Sequence, residues 1–345
     1  MKWDRGFADI EKAGVLVLGF FDGLHRGHCQ VLDEAFRLAA DWQCPCELLT
    51  LYPHPDLTSG QSDVAYLTTY REKWTLFQSR YPAGRFRFLR FDRTVMATPP
   101  DRFLRWLLDC FSPRGICVGE DFRFGYRAAG DTGFLRFWGA EHGVGVTVLP
   151  PVLLGGAAIS SSRIRECLRS GNAEEAARLL GYPYQVFGRV RSGRRIGRTL
   201  GFPTINLYPS SRKLLPRDGV YRGEVLGEEV ASPALVYVGT RPTLGSGGRR
   251  VVEAYLRGKP IGDLYGKRLS VAFHGFIRGE MVFRSLEDLR IRILQDLQAL
   301  ERYLHYTGGM LHYNLNIYND GGVVSIGLNQ RKETGDYYFF QNSRH

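Results

Sequence analysis

The stretch Gly14-Val15-Leu16-Val17-Leu18-Gly19-Phe20-Phe21-Asp22-Gly23-Leu24-His25-Arg26-Gly27-His28 decides the fold of the first half of this chain. Val15 to Leu18 is a short apolar run that predicts a buried strand. The residues after it carry Val31, Leu32, Ala35, Phe36 and Ala39 on one side, the period of an amphipathic helix. Between them lie glycines, which let the backbone turn sharply and approach a ligand, and the helix start supplies free amides and a positive dipole end. His25 and His28, three apart, share a face of the starting helix and can point to the same anion. Two histidines beside a turn also fit a plain surface turn. The order strand, glycine turn, paired histidines, helix is the one a phosphate site at the end of a parallel strand requires.

Outward from this unit, the strand-like Glu47 to Leu51, the run Phe86 to Phe91, a helix with Phe103, Leu104, Leu107 and Leu108, and the strand Gly115 to Val118 continue the alternation. This predicts an α/β domain, a parallel sheet covered by helices on both faces. A helical pair follows from Ser160 to Gly181, and Tyr182-Pro183 breaks the pattern, so a boundary is placed at 182/183. From Tyr184 to Phe276 short β-branched and aromatic runs (Gln185 to Val190, Gly219 to Val225, Ala234 to Val238, Leu269 to Phe273) predict a small antiparallel barrel. One helix then follows, capped by Ser285, with Leu286, Leu289, Ile293, Leu297 and Leu300 as the stripe that packs on the barrel. In residues 305–345 alternating Leu311, Tyr313, Leu315 and Ile317 before Asp320-Gly321-Gly322 resemble a hairpin. No function is read into that segment.

Composition narrows the class. The run Ala13 to Phe21 is too short to span a bilayer and lacks a small-residue cleavage site, so no membrane association is expected. Six cysteines, all in the first half, form neither a CxxC pair nor an even framework and read as reduced thiols of a cytoplasmic protein. A net charge of +11 calls for anionic partners, nucleotides, nucleic acid or an acidic membrane surface, and does not choose among them. There is no GxGxxG, which disfavours a dinucleotide site, and no RNP1 or KH loop, so no nucleic-acid partner is expected.

Two further segments repeat the phosphate theme. Gly119-Glu120-Asp121-Phe122-Arg123-Phe124-Gly125 follows a strand, which puts Asp121 at the carboxyl edge of the sheet, and Ile159-Ser160-Ser161-Ser162-Arg163-Ile164-Arg165 gathers hydroxyls, helix amides and guanidinium groups in one turn. Each alone reads as a cap or a surface turn. Together, in this order, HxGH, GxDFxFG and SSxxxR resemble the adenylyltransferase module of bacterial bifunctional riboflavin kinase/FAD synthetases. The resemblance implies a Rossmann-like nucleotidyltransferase domain in which His25 and His28 hold the ATP phosphates, Asp121 lies in the nucleotide pocket, and Ser161, Ser162 and Arg165 complete the phosphate site. Gly19, Phe20, Asp22 and Gly23 form the ligand-contacting turn. Ser162 stands where the family usually has Thr and keeps the hydroxyl. Pro53-His54-Pro55 matches a family segment near the flavin.

The barrel opens with Gly193-Arg194-Arg195-Ile196-Gly197-Arg198-Thr199-Leu200-Gly201-Phe202-Pro203-Thr204-Ile205-Asn206. Its glycine spacing is one short of a P-loop and Arg198 replaces the lysine, which excludes a Walker site. A flap of Gly193, Gly197, Thr199, Gly201 and Pro203 over phosphates fits, and Thr204 and Asn206, two apart on an extended segment, offer oxygens on one side to a hard cation. From the basic residues alone, a loop that binds nucleic acid or keeps the protein soluble is the favoured reading, and the resemblance that follows reverses it. Gly201 to Asn206 is similar to the PTAN signature of riboflavin kinases, and Leu215 to Tyr221, Gly239 to Thr243, Asp263 to Lys267 and Phe276 to Arg278 extend the match. The resemblance covers about residues 14–304. It implies magnesium at Thr204 and Asn206 and makes Glu253 the base that takes the 5′-hydroxyl proton of riboflavin. The implied activity is ATP-dependent phosphorylation of riboflavin to FMN and adenylation of FMN to FAD, with flavins, ATP and Mg2+ as the small-molecule partners. In two places the chain departs from the family: Ile205 stands for Ala, and Ala254-Tyr255-Leu256-Arg257-Gly258-Lys259-Pro260 replaces a His, a hydrophobic pair and Asp-Phe.

Overall fold

The computed structural model describes residues 14–54, 58, 65–191, 200–227, 230–241, 249–256, 264–306, 316–319 and 322–325. Five parallel strands, β1 (Val15–Leu18), β2 (Cys46–Tyr52), β3 (Arg85–Arg90), β4 (Gly115–Gly119) and β5 (Gly145–Leu149), form a sheet of order β3-β2-β1-β4-β5. Side-chain alternation along the strands builds two cores. Val15, Val17, Leu48 and Cys117 face α1 (Arg26–Asp41) and α2 (Tyr70–Arg80). Leu16, Leu18, Leu49, Ile116 and Val118 face the other way; past the four-residue α3 (Arg93–Met96), they meet α4 (Pro100–Phe111) and α5 (Thr132–His142). Both faces are therefore covered, and ligand access is left to the carboxyl ends of the strands. The order reverses between β1 and β4, so the crevice between their loops is where this class of sheet binds ligands.

A short hairpin, β6 (Leu153–Leu154) and β7 (Ala157–Ala158), leads into α6 (Ser161–Ser170) and α7 (Ala173–Leu180), capped by Ser160 and Asn172 and closed by Gly171 and Gly181 at positive φ. Six antiparallel strands then close a barrel in the order β10-β11-β12-β9-β8-β13. They are β8 (Tyr184–Arg191), β9 (Thr204–Tyr208), β10 (Gly219–Gly227), β11 (Val230–Arg241), β12 (Arg249–Leu256) and β13 (Arg268–Arg278). Val186, Ile205, Leu207, Val236, Val252, Ala254 and Val271 fill its interior, and Ile164, Leu168, Ala176, Leu179 and Leu180 of α6 and α7 join the same apolar cluster.

The last helix, α8 (Leu286–Tyr306), is capped by Ser285, whose Oγ accepts from Asp288 N at 3.0 Å. Its packing follows the predicted stripe except at the start: Leu289, Ile293 and Leu297 are half-buried and Leu300 is buried, while Leu286 is 61% exposed. Asp296 takes the buried central position because Arg278 from β13 meets it at 2.8 Å and Arg292 at 3.4 Å. An ion cluster, not leucine alone, sets the rotation of this helix. The predicted hairpin is present as β14 (Asn316–Asn319) and β15 (Gly322–Ser325), with Asn319 opposite Gly322.

A buried ion pair ties the sheet domain to the barrel. Lys213 Nζ lies 3.1 Å from Glu72 Oε2, both side chains being at most 2% exposed, and also donates to Leu67 O at 2.6 Å. Glu72 Oε1 accepts from Phe187 N of β8, and Oε2 from Thr69 N in the capping box of α2. Lys213→Met strands a desolvated carboxylate and is predicted to destabilise the protein by about 3–5 kcal/mol in urea unfolding. Adding Glu72→Gln should recover part of the loss.

Candidate active sites

The first site grows from the end of β1. Gly19 is needed because a Cβ there would lie 2.6 Å from the Phe21 ring. Gly23 has φ +84°, and Phe21 (+53°) and Leu24 (+39°) are also left-handed, a concentration of strain that only strong local bonding sustains. That bonding centres on Asp22, which is 2% exposed. Its Oδ1 accepts from Thr68 N and Thr68 Oγ1, and its Oδ2 from Leu67 N and from Arg165 Nη2 at 2.5 Å. Thr68 Oγ1 in turn accepts from Gly23 N. Asp22 therefore holds the turn's shape, with both carboxylate oxygens engaged by protein donors.

His25 is the N-cap of α1, its Nδ1 accepting from His28 N at 3.3 Å, and the two imidazoles stack with centroids 3.5 Å apart and planes 16° from parallel. Burial pushes His25 down to about 4, against the raising effect of Asp22. Burial also drives His28 well below its ordinary value, and the neighbouring His25 and Lys73 act in the same direction. Both rings are neutral at pH 7 and act as hydrogen-bond donors, not cations. His28 Nδ1 is buried and has no hydrogen-bond partner among the described residues.

Around this stack the helix α6 brings Ser161, whose Oγ donates to Asp22 O at 2.9 Å, and the exposed Ser162. Arg165 spends Nη2 on Asp22 and Nε on Ala65 O, so it braces the turn as well as lying beside it. Asp121 is exposed in the turn after β4, across the β1/β4 reversal. On the β2 side, Phe20 meets His54 edge to face at 4.2 Å, and its carbonyl accepts from Thr50 Oγ1 and from Lys73 Nζ. The sequence brought forward the turn, the histidines and the serines. It missed Thr68, Thr50 and Lys73, which lie 23 to 53 residues from their partners and carry no local signal.

The second site lies on the outer face of the barrel. Glu253 of β12 is opposite Asn206 of β9 on one side and Tyr237 of β11 on the other, and Thr204 Oγ1 lies 3.4 Å from Glu253 Oε2. Val252, Ala254 and Leu256 point inward, as does Ile205, so its bulk lies away from Thr204 and Asn206. Three residues along the strand from Glu253, Arg250 grips Asp218 and the carbonyls of Leu215 and Pro216. Tyr255, in the segment that departs from the family, sits opposite Thr204 and against the Phe202 ring at 5.6 Å. Tyr237 folds over Gly239 to donate to Glu280 at 2.5 Å, and burial raises its hydroxyl pKa. Gly201 has φ +85° and Pro203 is half-buried beside β9. Gly193, Gly197 and Thr199 lie outside the described residues, as does Asp263.

The oxygens of Thr204, Asn206 and Glu253 form a donor set suited to Mg2+, which is typically held by one or two carboxylates together with substrate phosphates. Among the described residues no cluster of three His, Cys, Asp or Glu side chains offers a soft-metal site. No helix among them is long and apolar enough to cross a membrane.

Comparison with known proteins finds matches over both halves of the chain. A family model described as FAD synthetase matches residues 8–163, and one described as riboflavin kinase matches residues 180–304. The bifunctional riboflavin kinase/FMN adenylyltransferase of Escherichia coli (strain K12) is 36% identical over 303 residues, 86% of this chain and 96% of that protein. The enzyme of the same name from Pseudomonas fluorescens is 33% identical over 83% of this chain and 91% of its own. A crystal structure from Streptococcus pneumoniae, described as a macrolide-efflux protein, superposes with a TM-score of 0.78 at 27% identity, covering 86% of this chain and 96% of that one. Two family matches on two differently built domains, and relatives alike over most of this chain and nearly all of their own, place the chain in the bifunctional riboflavin kinase/FMN adenylyltransferase family.

Proposed function

We propose that the two activities of this family run at the two sites described above, with the barrel acting first. The chain is a riboflavin kinase and an FMN adenylyltransferase: it phosphorylates riboflavin to FMN with ATP and adenylates FMN to FAD. What supports this division is a carboxylate at one site and, at the other, a pair of stacked imidazoles whose pKa values burial lowers. An alcohol must lose its proton as it attacks phosphorus, and Glu253, beside Thr204 and Asn206, is placed to accept it. The 5′-oxygen of riboflavin then bonds to the γ-phosphorus of ATP as the bond to ADP breaks. A phosphate monoester has a second pKa near 6 and is already an anion at pH 7. The FMN phosphate therefore needs no base, only donors and positioning, which neutral His25 and His28 supply. Its oxygen bonds to the α-phosphorus of ATP, and pyrophosphate leaves.

Mg2+ at Thr204 and Asn206 would neutralise phosphate charge in the kinase site. The turn Gly19, Phe20, Asp22, Gly23 with Ser161, Ser162, Arg165 and Asp121 makes up the adenylyltransferase pocket. Gly193, Gly197, Thr199, Gly201 and Pro203 form the kinase flap. We divide the chain at 182/183, with 183–304 as the kinase and no role assigned to 305–345. Six free cysteines fit a cytoplasmic protein.

Labelled ATP tests the assignment. Label in the γ-phosphate should appear in FMN and FAD when riboflavin is the substrate, and label in the α-phosphate in FAD only. Label from the α-position in FMN would refute it, and chelating Mg2+ should stop the transfer of both.

A further inference from the structure

Among the described residues two lysines are buried at 5% exposure or less, Lys73 and Lys213. Lys213 is neutralised by Glu72. Lys73 is not paired in this way: its Nζ donates to the Phe20 carbonyl and lies 3.3 Å from Thr50 Oγ1 and 3.9 Å from the centroid of the Phe20 ring, all neutral partners. The carboxylate whose charge it feels, Asp22, is engaged by Leu67, Thr68 and Arg165. A buried ammonium without a carboxylate in contact is costly, and its place in a fold calls for a reason.

Its location supplies one. Lys73 stands between β1 and β2 at the carboxyl edge of the sheet, under the left-handed Phe21 to Leu24 turn, and close enough to His28 to lower the pKa of that ring. The β1/β4 crevice beside it holds Asp121 and the β2 side holds Thr50 and His54, so the ammonium shares the β2 side with the segment that resembles the family's flavin-side residues. Adenylyl transfer brings one phosphate anion against another, and their repulsion must be offset where they meet.

We propose that Lys73 is a positioning residue for FMN adenylation: it pins the Phe20 carbonyl of the strained turn and supplies the buried positive charge that lets the FMN phosphate approach the α-phosphate of ATP. This rests on the assignment of adenylation to the His25–His28 site. Burial lowers the Lys73 pKa to about 8, with Asp22 opposing, so the charge is present below pH 8 and is lost as pH rises through it. The titratable groups facing it are Asp22 from the turn and His28 from α1, while β2 contributes the neutral Thr50 hydroxyl. Neither phosphate substrate titrates in that range, since second phosphate pKa values lie near 6.

The test is kcat/KM for FMN as a function of pH from 6.5 to 9.5 in the full-length protein and in Lys73→Met and Lys73→Arg, with riboflavin phosphorylation and His28→Ala measured alongside. For the unsubstituted protein we expect a fall centred near pH 8. Lys73→Met should lose at least about tenfold in kcat/KM for FMN at pH 7, through KM more than kcat, and lose that limb. Lys73→Arg should restore part of the activity and move the limb out of range, and riboflavin phosphorylation should be unchanged throughout. A Lys73→Met protein with normal FMN kinetics overturns the proposal. So does one that is merely less stable and keeps the pH limb, or an unsubstituted enzyme with no limb at all. If His28→Ala leaves FAD synthesis intact, the underlying site assignment has failed instead.

Discussion

Glu253→Ala should abolish FMN formation from riboflavin while leaving FAD formation from added FMN intact. Removing a general base from a positioned alcohol typically costs 10²–10⁴-fold in rate. The loss should fall on kcat, since a group that acts on the proton in the transition state contributes little to holding riboflavin. Glu253 sits on the outer face of the barrel while its neighbours Val252 and Ala254 fill the interior, so removing its carboxylate leaves the core unchanged. Chromatography of the flavins from separate incubations with riboflavin and with FMN reads both half-reactions. Wild-type FMN production by Glu253→Ala would move the base elsewhere on the barrel.

His28→Ala should do the reverse, with FMN accumulating from riboflavin and FAD falling by about 10²–10³-fold, the usual cost of losing one donor to developing phosphate charge. The ring is stacked on His25 and packs on Phe21 at 4.9 Å, so its removal also loosens the turn. His28→Asn, which keeps a donor, should retain more activity than alanine. The pH dependence separates these histidines from ordinary ones. Their pKa values are lowered by burial, His25 to about 4 and His28 well below the ordinary value, so both rings are neutral at pH 7. FAD synthesis should show no acid limb near 6.5 from them. The contribution of His25 to stability is fully present above the unfolded value of about 6.5 and is lost as pH falls toward 4, because the unfolded chain then binds protons that the folded one does not.

Much of this was readable from local pattern. The strand, turn and helix around His25 follow from a switch between runs of buried apolar residues and a 3.6-residue period, and the barrel from its short β-branched runs. Strand ends moved by a few residues: the predicted Ala234 to Val238 became Val230–Arg241. What could not be read was packing over long separations. Helix α2 gave no amphipathic signal because its buried positions include Glu72, Lys73 and Thr75, whose partners lie in other elements. For the same reason, Lys73 and Thr68 were invisible as parts of the site. The stripe predicted for α8 holds from Leu289 to Leu300, but the buried Asp296 beside it could not be foreseen, since its partner Arg278 comes from a distant strand. At Asp22 the sequence placed the residue in the site, and the structure shows that its four hydrogen bonds hold the turn itself.

The most direct test of two chemically independent sites on one chain is to mix Glu253→Ala with His28→Ala and supply riboflavin, ATP and Mg2+. Alone, the first should leave riboflavin untouched and the second should stop at FMN. Together they should produce FAD, each protein performing the step the other has lost. If either folded variant had lost both half-reactions, so that the mixture made no FAD from riboflavin, the two-site account would be contradicted.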